Sequence, residues 1–241
     1  MLAADWEGHM IRKAMTAATV LMVLAACSPK PATQAPAASA ISATSAAVID
    51  HTLDCTHPVR LKTSAAQVLK DYGDGAIAGE LDGPEGSKLK GVAINPDAPN
   101  DRLELSWWDD AQTVASMVRA GDHGKAWVGP GGIHVGSTVA EVEAANGKSF
   151  SISGFGWDYG GYVTDLKGGK LTGLAGGCVL QLRFDHPDFT GDIPAGISGD
   201  GVTVRSGDPR LKAFAAVVTE MSVGWALPEG VKPSADDGGG D

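Results

Sequence analysis

The chain has 241 residues, 43% of them apolar, and a formal charge of −10. That apolar share is enough for a packed core, in one large domain or two small ones, and excludes disorder of the whole chain. A nucleic-acid surface needs clustered Lys and Arg to replace counterions; no such cluster occurs, so no nucleic-acid partner is expected.

Residues 10–27, MIRKAMTAATVLMVLAAC, read as a secretory signal: Arg12 and Lys13 form its positive end, and residues 14–24 form an apolar run too short to span a bilayer well. Residues 1–9 precede the better-formed start at Met10 and read as a mis-assigned extension, so 1–26 is the expected signal peptide. Leu24, Ala25, Ala26 and Cys27 resemble a bacterial lipobox. That resemblance implies cleavage before Cys27 and a lipid anchor, a palmitate-type acyl chain among them, on the new terminus. Ser28 stands where the inner-membrane retention signal has Asp, which implies an outer-membrane lipoprotein of the cell envelope, facing the periplasm. A soluble periplasmic protein with an incidental cysteine is the alternative. Residues 27–48 hold the lipidated Cys and a run of Ala, Pro, Ser and Thr that cannot bury enough apolar surface to fold, and so read as a tether. Residues 231–241 read as a disordered acidic tail.

The first half of the body, 49–131, opens on LKTSAAQVLKDYG (residues 61–73), and the second, 132–230, opens on a stretch containing VGSTVAEVEAANG (135–147). The two segments align at a constant offset of 74 residues. Ser64 with Gln67, and Thr138 with Glu141, occupy the positions of a capping box, in which two side chains satisfy orphan amides at a helix start. Gly73 and Gly147 supply the residue that ends each helix at low steric cost. In the first helix Ala65, Val68, Leu69 and Tyr72 form an apolar stripe; Val139, Val142 and Ala145 form a thinner one in the second. Strands are predicted at 88–94, 102–107, 114–120, 150–155, 162–171, 179–184 and 217–225, and Asp208-Pro209 predicts a short helical turn before the last. Leu103, Leu105 and Trp107 align with Leu180, Leu182 and Phe184 at an offset of 77, so the repeat continues beyond the helices. In the last strand Val217, Met221, Val223 and Trp225 share parity. These patterns predict an α+β fold of two tandem repeats, each a short helix packed on an antiparallel β-sheet.

Each half, on GSTVAEVEAANG or KTSAAQVLKDYG followed by antiparallel strands, resembles the module of the small outer-membrane lipoprotein A family, and the tandem resembles β-lactamase inhibitor proteins. The second half, with SGFGWDYGG, also resembles uncharacterised proteobacterial lipoproteins. No segment matches a β-lactamase-binding loop, so inhibition of that enzyme does not carry over.

Cys55 and Cys178 are the cysteines left after Cys27, and in an oxidising compartment two such thiols pair. Metal ligation by His51, Cys55 and His57 is the alternative, but their spacing matches no zinc pattern and lacks a fourth ligand. Phe155, Trp157 and Tyr159 alternate among glycines: they are either strand residues packed on a helix or an exposed ridge for a partner, with Asp158 facing solvent or capping a turn. Trp107 and Trp108 point to opposite faces, leaving Trp108 for a contact or for packing under a loop. The partner-binding candidates are therefore Trp108, Trp157, Asp158 and Tyr159. No serine elbow, HExxH helix, phosphate loop or CxxC pair is present, so no catalytic residue, metal or cofactor is expected. The expected function is a non-catalytic binding or assembly module for protein or cell-wall partners, held to the membrane by its lipid. The alternative is an envelope hydrolase or metal-dependent enzyme using Asp185, His186, Asp188 and Asp192, in a loop without calcium-loop spacing.

Overall fold

The computed structural model describes residues 50–234; the signal, Cys27, the tether and residues 235–241 lie outside them. After α1 (Ala65–Tyr72) come β1 (Ala76–Asp82), β2 (Lys88–Ile94), β3 (Leu103–Trp107) and β4 (Ala115–Ala120). The second half supplies α2 (Val139–Asn146), β5 (Ser151–Ser153), β6 (Val163–Asp165), β7 (Val179–Asp185), β8 (Thr203–Arg205), α3 (Pro209–Ala213) and β9 (Val217–Gly224). The fold is α+β. One antiparallel sheet has six strands in the order β1-β2-β3-β4-β9-β7, and a second has three, β6-β5-β8. An isolated bridge between Tyr162 and Arg183 links the smaller sheet to β7.

Alternation builds the larger sheet. Leu103, Leu105 and Trp107 on β3, and Leu180, Leu182 and Phe184 on β7, are buried in one apolar core. Glu104, Ser106, Gln181 and Arg183 take the opposite face. Each of these strands meets its partner across a bulge: the register shifts between Ser106 and Trp107 opposite β4, and between Arg183 and Phe184 opposite β9. The two shifts stand 77 residues apart on β3 and β7, the offset of the apolar matches. The extra residue, Ser116 on β4 and Thr219 on β9, reverses side-chain parity beyond it. This is why Val218 is buried and Val217 only half-buried, correcting the parity expected for the last strand. The halves meet where β4 pairs with β9, Val118 opposite Val223 and Arg119 opposite Ser222.

The helices start where the caps predict. The Ser64 hydroxyl accepts from the Gln67 amide at 3.2 Å, but the Gln67 side chain turns to Asp71 instead of closing the box. Thr138 and Glu141 close theirs in both directions, at 2.7 and 3.3 Å. Ala65 and Val68 are buried, and α1 lies on β1 and β2. α2 buries Val139, Val142 and Asn146, and Thr138 bridges to Val217 at the start of β9. Pro209 opens α3 behind an Asp208 cap.

Three expectations change. β7 and β9 join the first half's meander, so the strands of the two halves share one sheet instead of forming one sheet per helix. The stretches 150–155 and 162–171 are strand only over Ser151–Ser153 and Val163–Asp165. SGFGWDYGG is not a strand beyond its first residue, Ser153: Gly161, at φ 79°, brings the backbone so close to β7 that a Cβ there would overlap the Phe184 carbonyl. β1 and β8 were not predicted; β1 lacks a clear apolar alternation, and Ile77 is 54% exposed.

Candidate functional site

The face of the six-stranded sheet turned away from the core carries a hollow of about 810 Å³. Its floor is made by outward-facing positions on β3, β4, β9 and β7, all polar but Met117: Glu104 and Ser106, Met117 and Arg119, Glu220 and Ser222, Gln181 and Arg183. One wall is the β1–β2 hairpin at 81–89, and the other is the turn bearing Asp158, Tyr159 and Tyr162. The Glu85 carboxylate on the first wall faces the Tyr159 hydroxyl on the second and, with Asp158, raises its pKa.

Charges alternate across the floor. Arg102 donates to Glu104 at 2.6 Å, and Arg119 grips the same carboxylate through Nε at 2.9 Å. Arg119 also donates to the Asp82 carbonyl at 2.8 Å and stands 3.7 Å from Glu220. Burial opposes the charge on Arg119, but Glu104 and then Glu220 outweigh it and hold its pKa above the ordinary value. Tyr162 donates to Glu220 at 3.4 Å, and burial, then the Glu220 charge, raises its pKa. Arg183 stacks 5.1 Å over the Tyr162 ring and donates to the carbonyls of Gly160 and Asp158, tying the turn to β7.

The sequence candidates are divided by the fold. Asp158 and Tyr159 are exposed on the wall of this hollow. Trp157 is half-buried behind them, its indole N–H donating to the Gly154 carbonyl at 2.8 Å and its ring 5.6 Å from Tyr159. Phe155 is core. Trp108 lies elsewhere: it is half-buried, its indole donates to the Trp225 carbonyl, and its own carbonyl accepts from Ser234 at 2.6 Å. It therefore packs beneath the chain that follows β9. Sequence reasoning did not nominate Arg119, Tyr162, Arg183 or Glu220. The charge ladder through Glu104 appears only once β4 is known to neighbour β9.

Cys55 and Cys178 form a disulfide, with their Cα atoms 5.3 Å apart, joining the segment before α1 to the residue before β7. That removes the thiolate from the His51, Cys55 and His57 set; His51 instead pairs with Asp101 at 2.8 Å. In the Asp185–Asp192 loop, the His186 ring packs on Phe189 and Phe214, and its Nδ1 is 2.8 Å from the Phe214 carbonyl. Asp188 and Asp192 are exposed. Among the described residues no three His, Cys, Asp or Glu side chains are grouped to hold a metal ion, and no helix is long and apolar enough to cross a membrane. A second, more apolar groove runs between α2 and α3, past Val139, Ala144, Leu211 and Ala215. No protein-family model matches the chain, and no curated protein or solved structure does either.

Proposed function

We propose that this protein is an envelope lipoprotein, anchored through Cys27, whose open sheet face is a non-catalytic docking surface for a protein or cell-wall partner. The observation that carries the reading is the hollow itself: polar side chains from four strands converge under two walls, one of which presents Asp158 and Tyr159. Pockets of this size, with a few oriented polar groups, are where ligands are usually received. The Cys55–Cys178 bridge supports an oxidising compartment, in keeping with the signal read at 10–27. Of the sequence candidates, Asp158 and Tyr159 are contact residues in this reading, Trp157 buttresses them, and Trp108 is structural.

The body is further read as a duplicated α+β module. Its support is the mirrored strand order about the β4–β9 pair, the bulges at equivalent places on β3 and β7, and the matching caps at Ser64 and Thr138. With that equivalence Arg119 and Ser222 correspond, and they face each other, so the local two-fold axis passes through the floor of the hollow.

Photo-crosslinkers placed at 158 and 159 in intact cells test the surface; one at Lys212, exposed on α3, is the control. A discrete adduct from the first two positions and not from Lys212 is expected. Identical adducts from all three, or none from 158 and 159, would sink the reading. The mass of the mature protein tests acylation of Cys27 separately.

A further inference from the structure

We infer that the hollow receives a cationic guest, a lysine- or arginine-bearing segment of another polypeptide. The inference rests on the open face being the docking surface, and its support is charge complementarity. The lining holds five carboxylates, on Asp82, Glu85, Glu104, Asp158 and Glu220, against two guanidiniums, on Arg119 and Arg183.

Both guanidiniums are already engaged. Arg119 is shared among Glu104, the Asp82 carbonyl and Glu220, and Arg183 is spent on two carbonyls and a tyrosine ring. An anionic guest would find little unspent donor capacity on them and would meet the surplus carboxylates. The carboxylates are less evenly satisfied. Glu104 and Asp82 have close cations, Asp82 in Lys88, but Glu220 has Arg119 no nearer than 3.7 Å and a hydroxyl at 3.4 Å. Among the described residues Glu85 faces a tyrosine hydroxyl and no cation, and the Asp158 carboxylate is exposed on the same wall as that tyrosine. A guest ammonium or guanidinium placed among these three gains charge-assisted hydrogen bonds to them. The walls add Tyr159 and Tyr162, whose ring faces attract cations; Arg183 over Tyr162 is that contact made within the chain.

The test uses the full chain and a panel of fluorescent extended decapeptides in which Lys or Arg is placed at different positions among Ser and Gly, read by anisotropy. Glutamate-substituted peptides, spermidine and a neutral oligosaccharide are the comparison probes. We expect at least one basic peptide to bind, more weakly as salt rises, and Glu85→Gln with Glu220→Gln to weaken it about tenfold. Asp97→Asn with Asp188→Asn makes the same change in net charge at exposed sites off the hollow, and should leave binding unchanged. Unaltered thermal unfolding establishes that the variants are folded. Equal losses in both double variants would reduce the effect to the net charge of the protein and overturn the inference. So would tighter binding of spermidine, the acidic peptides or the sugar, or binding by no basic peptide. If crosslinks at 158 and 159 still capture a discrete partner in those cases, the docking face stands and only its guest is wrong.

Discussion

Along β3 and β7, Leu103, Leu105, Trp107, Leu180, Leu182 and Phe184 turn to one side and are buried, while Glu104, Ser106, Gln181 and Arg183 turn to the other and line the hollow. The same backbone thus carries two surfaces of opposite character. The buried side gains from removing apolar area from water, at about 25 cal/mol per Å². The polar side gains little net, because each ion pair formed there has first lost hydration. The closed face therefore sets stability, and the open face is left available for specificity.

The largest test of that division is the bridge on the closed side. Replacing Cys55 and Cys178 with serine frees a loop with a sequence separation of 123 residues, and should cost about 5 kcal/mol on the chain-entropy account; denaturant unfolding with and without reductant measures it. Leu182→Ala follows, at about 3 kcal/mol, since a fully buried leucine leaves both lost transfer energy and a cavity. On the open face Arg119→Ala should cost about 1–2 kcal/mol, because Glu104 and Glu220 lose their shared cation while remaining partly solvated. Tyr159→Ala should change stability by less than about 0.5 kcal/mol and yet abolish crosslinks at 158. A Tyr159→Ala loss as large as that of Leu182→Ala would show that the wall is part of the core, and the contrast between faces would fail.

The smallest effect is electrostatic and belongs to neither face. Arg210, through its side chain and then its amide, lowers the Asp208 pKa from 3.8 to about 2. A carboxylate depressed on folding stabilises above its unfolded value, and that contribution is lost as pH falls through the folded one. Asp208→Asn should therefore flatten the decline in thermal midpoint between about pH 4 and pH 2. Its effect at pH 7 tests the cap of α3 alone.

Much of the body was legible because its signals are local. Ser64, Thr138, Gly147 and the Asp208-Pro209 pair fix helix ends through hydrogen bonds spanning a few residues. β3, β7 and β9 announced themselves by apolar residues at a period of two, and β2 and β4 by short apolar runs. β1 did not, since an edge strand buries little and Ala76 and Leu81 face opposite sides. The turn at 154–162 was misread in part because its aromatics alternate like a strand's, while its glycines, at positive φ at Gly156 and Gly161, fold it back.

The sequence alone determined the α+β class, the capped helices, the pairing of Cys55 with Cys178 and the sides of β3 and β7 that meet the core. Tertiary structure decided that β4 lies beside β9, that two bulges reverse parity, and that residues as distant as Glu85 and Tyr159 wall one hollow. The physical reason is range: caps and alternation are written in neighbouring residues, whereas strand order depends on which edges close around a common core, and only that order brings Glu104, Arg119, Glu220 and Arg183 onto one floor.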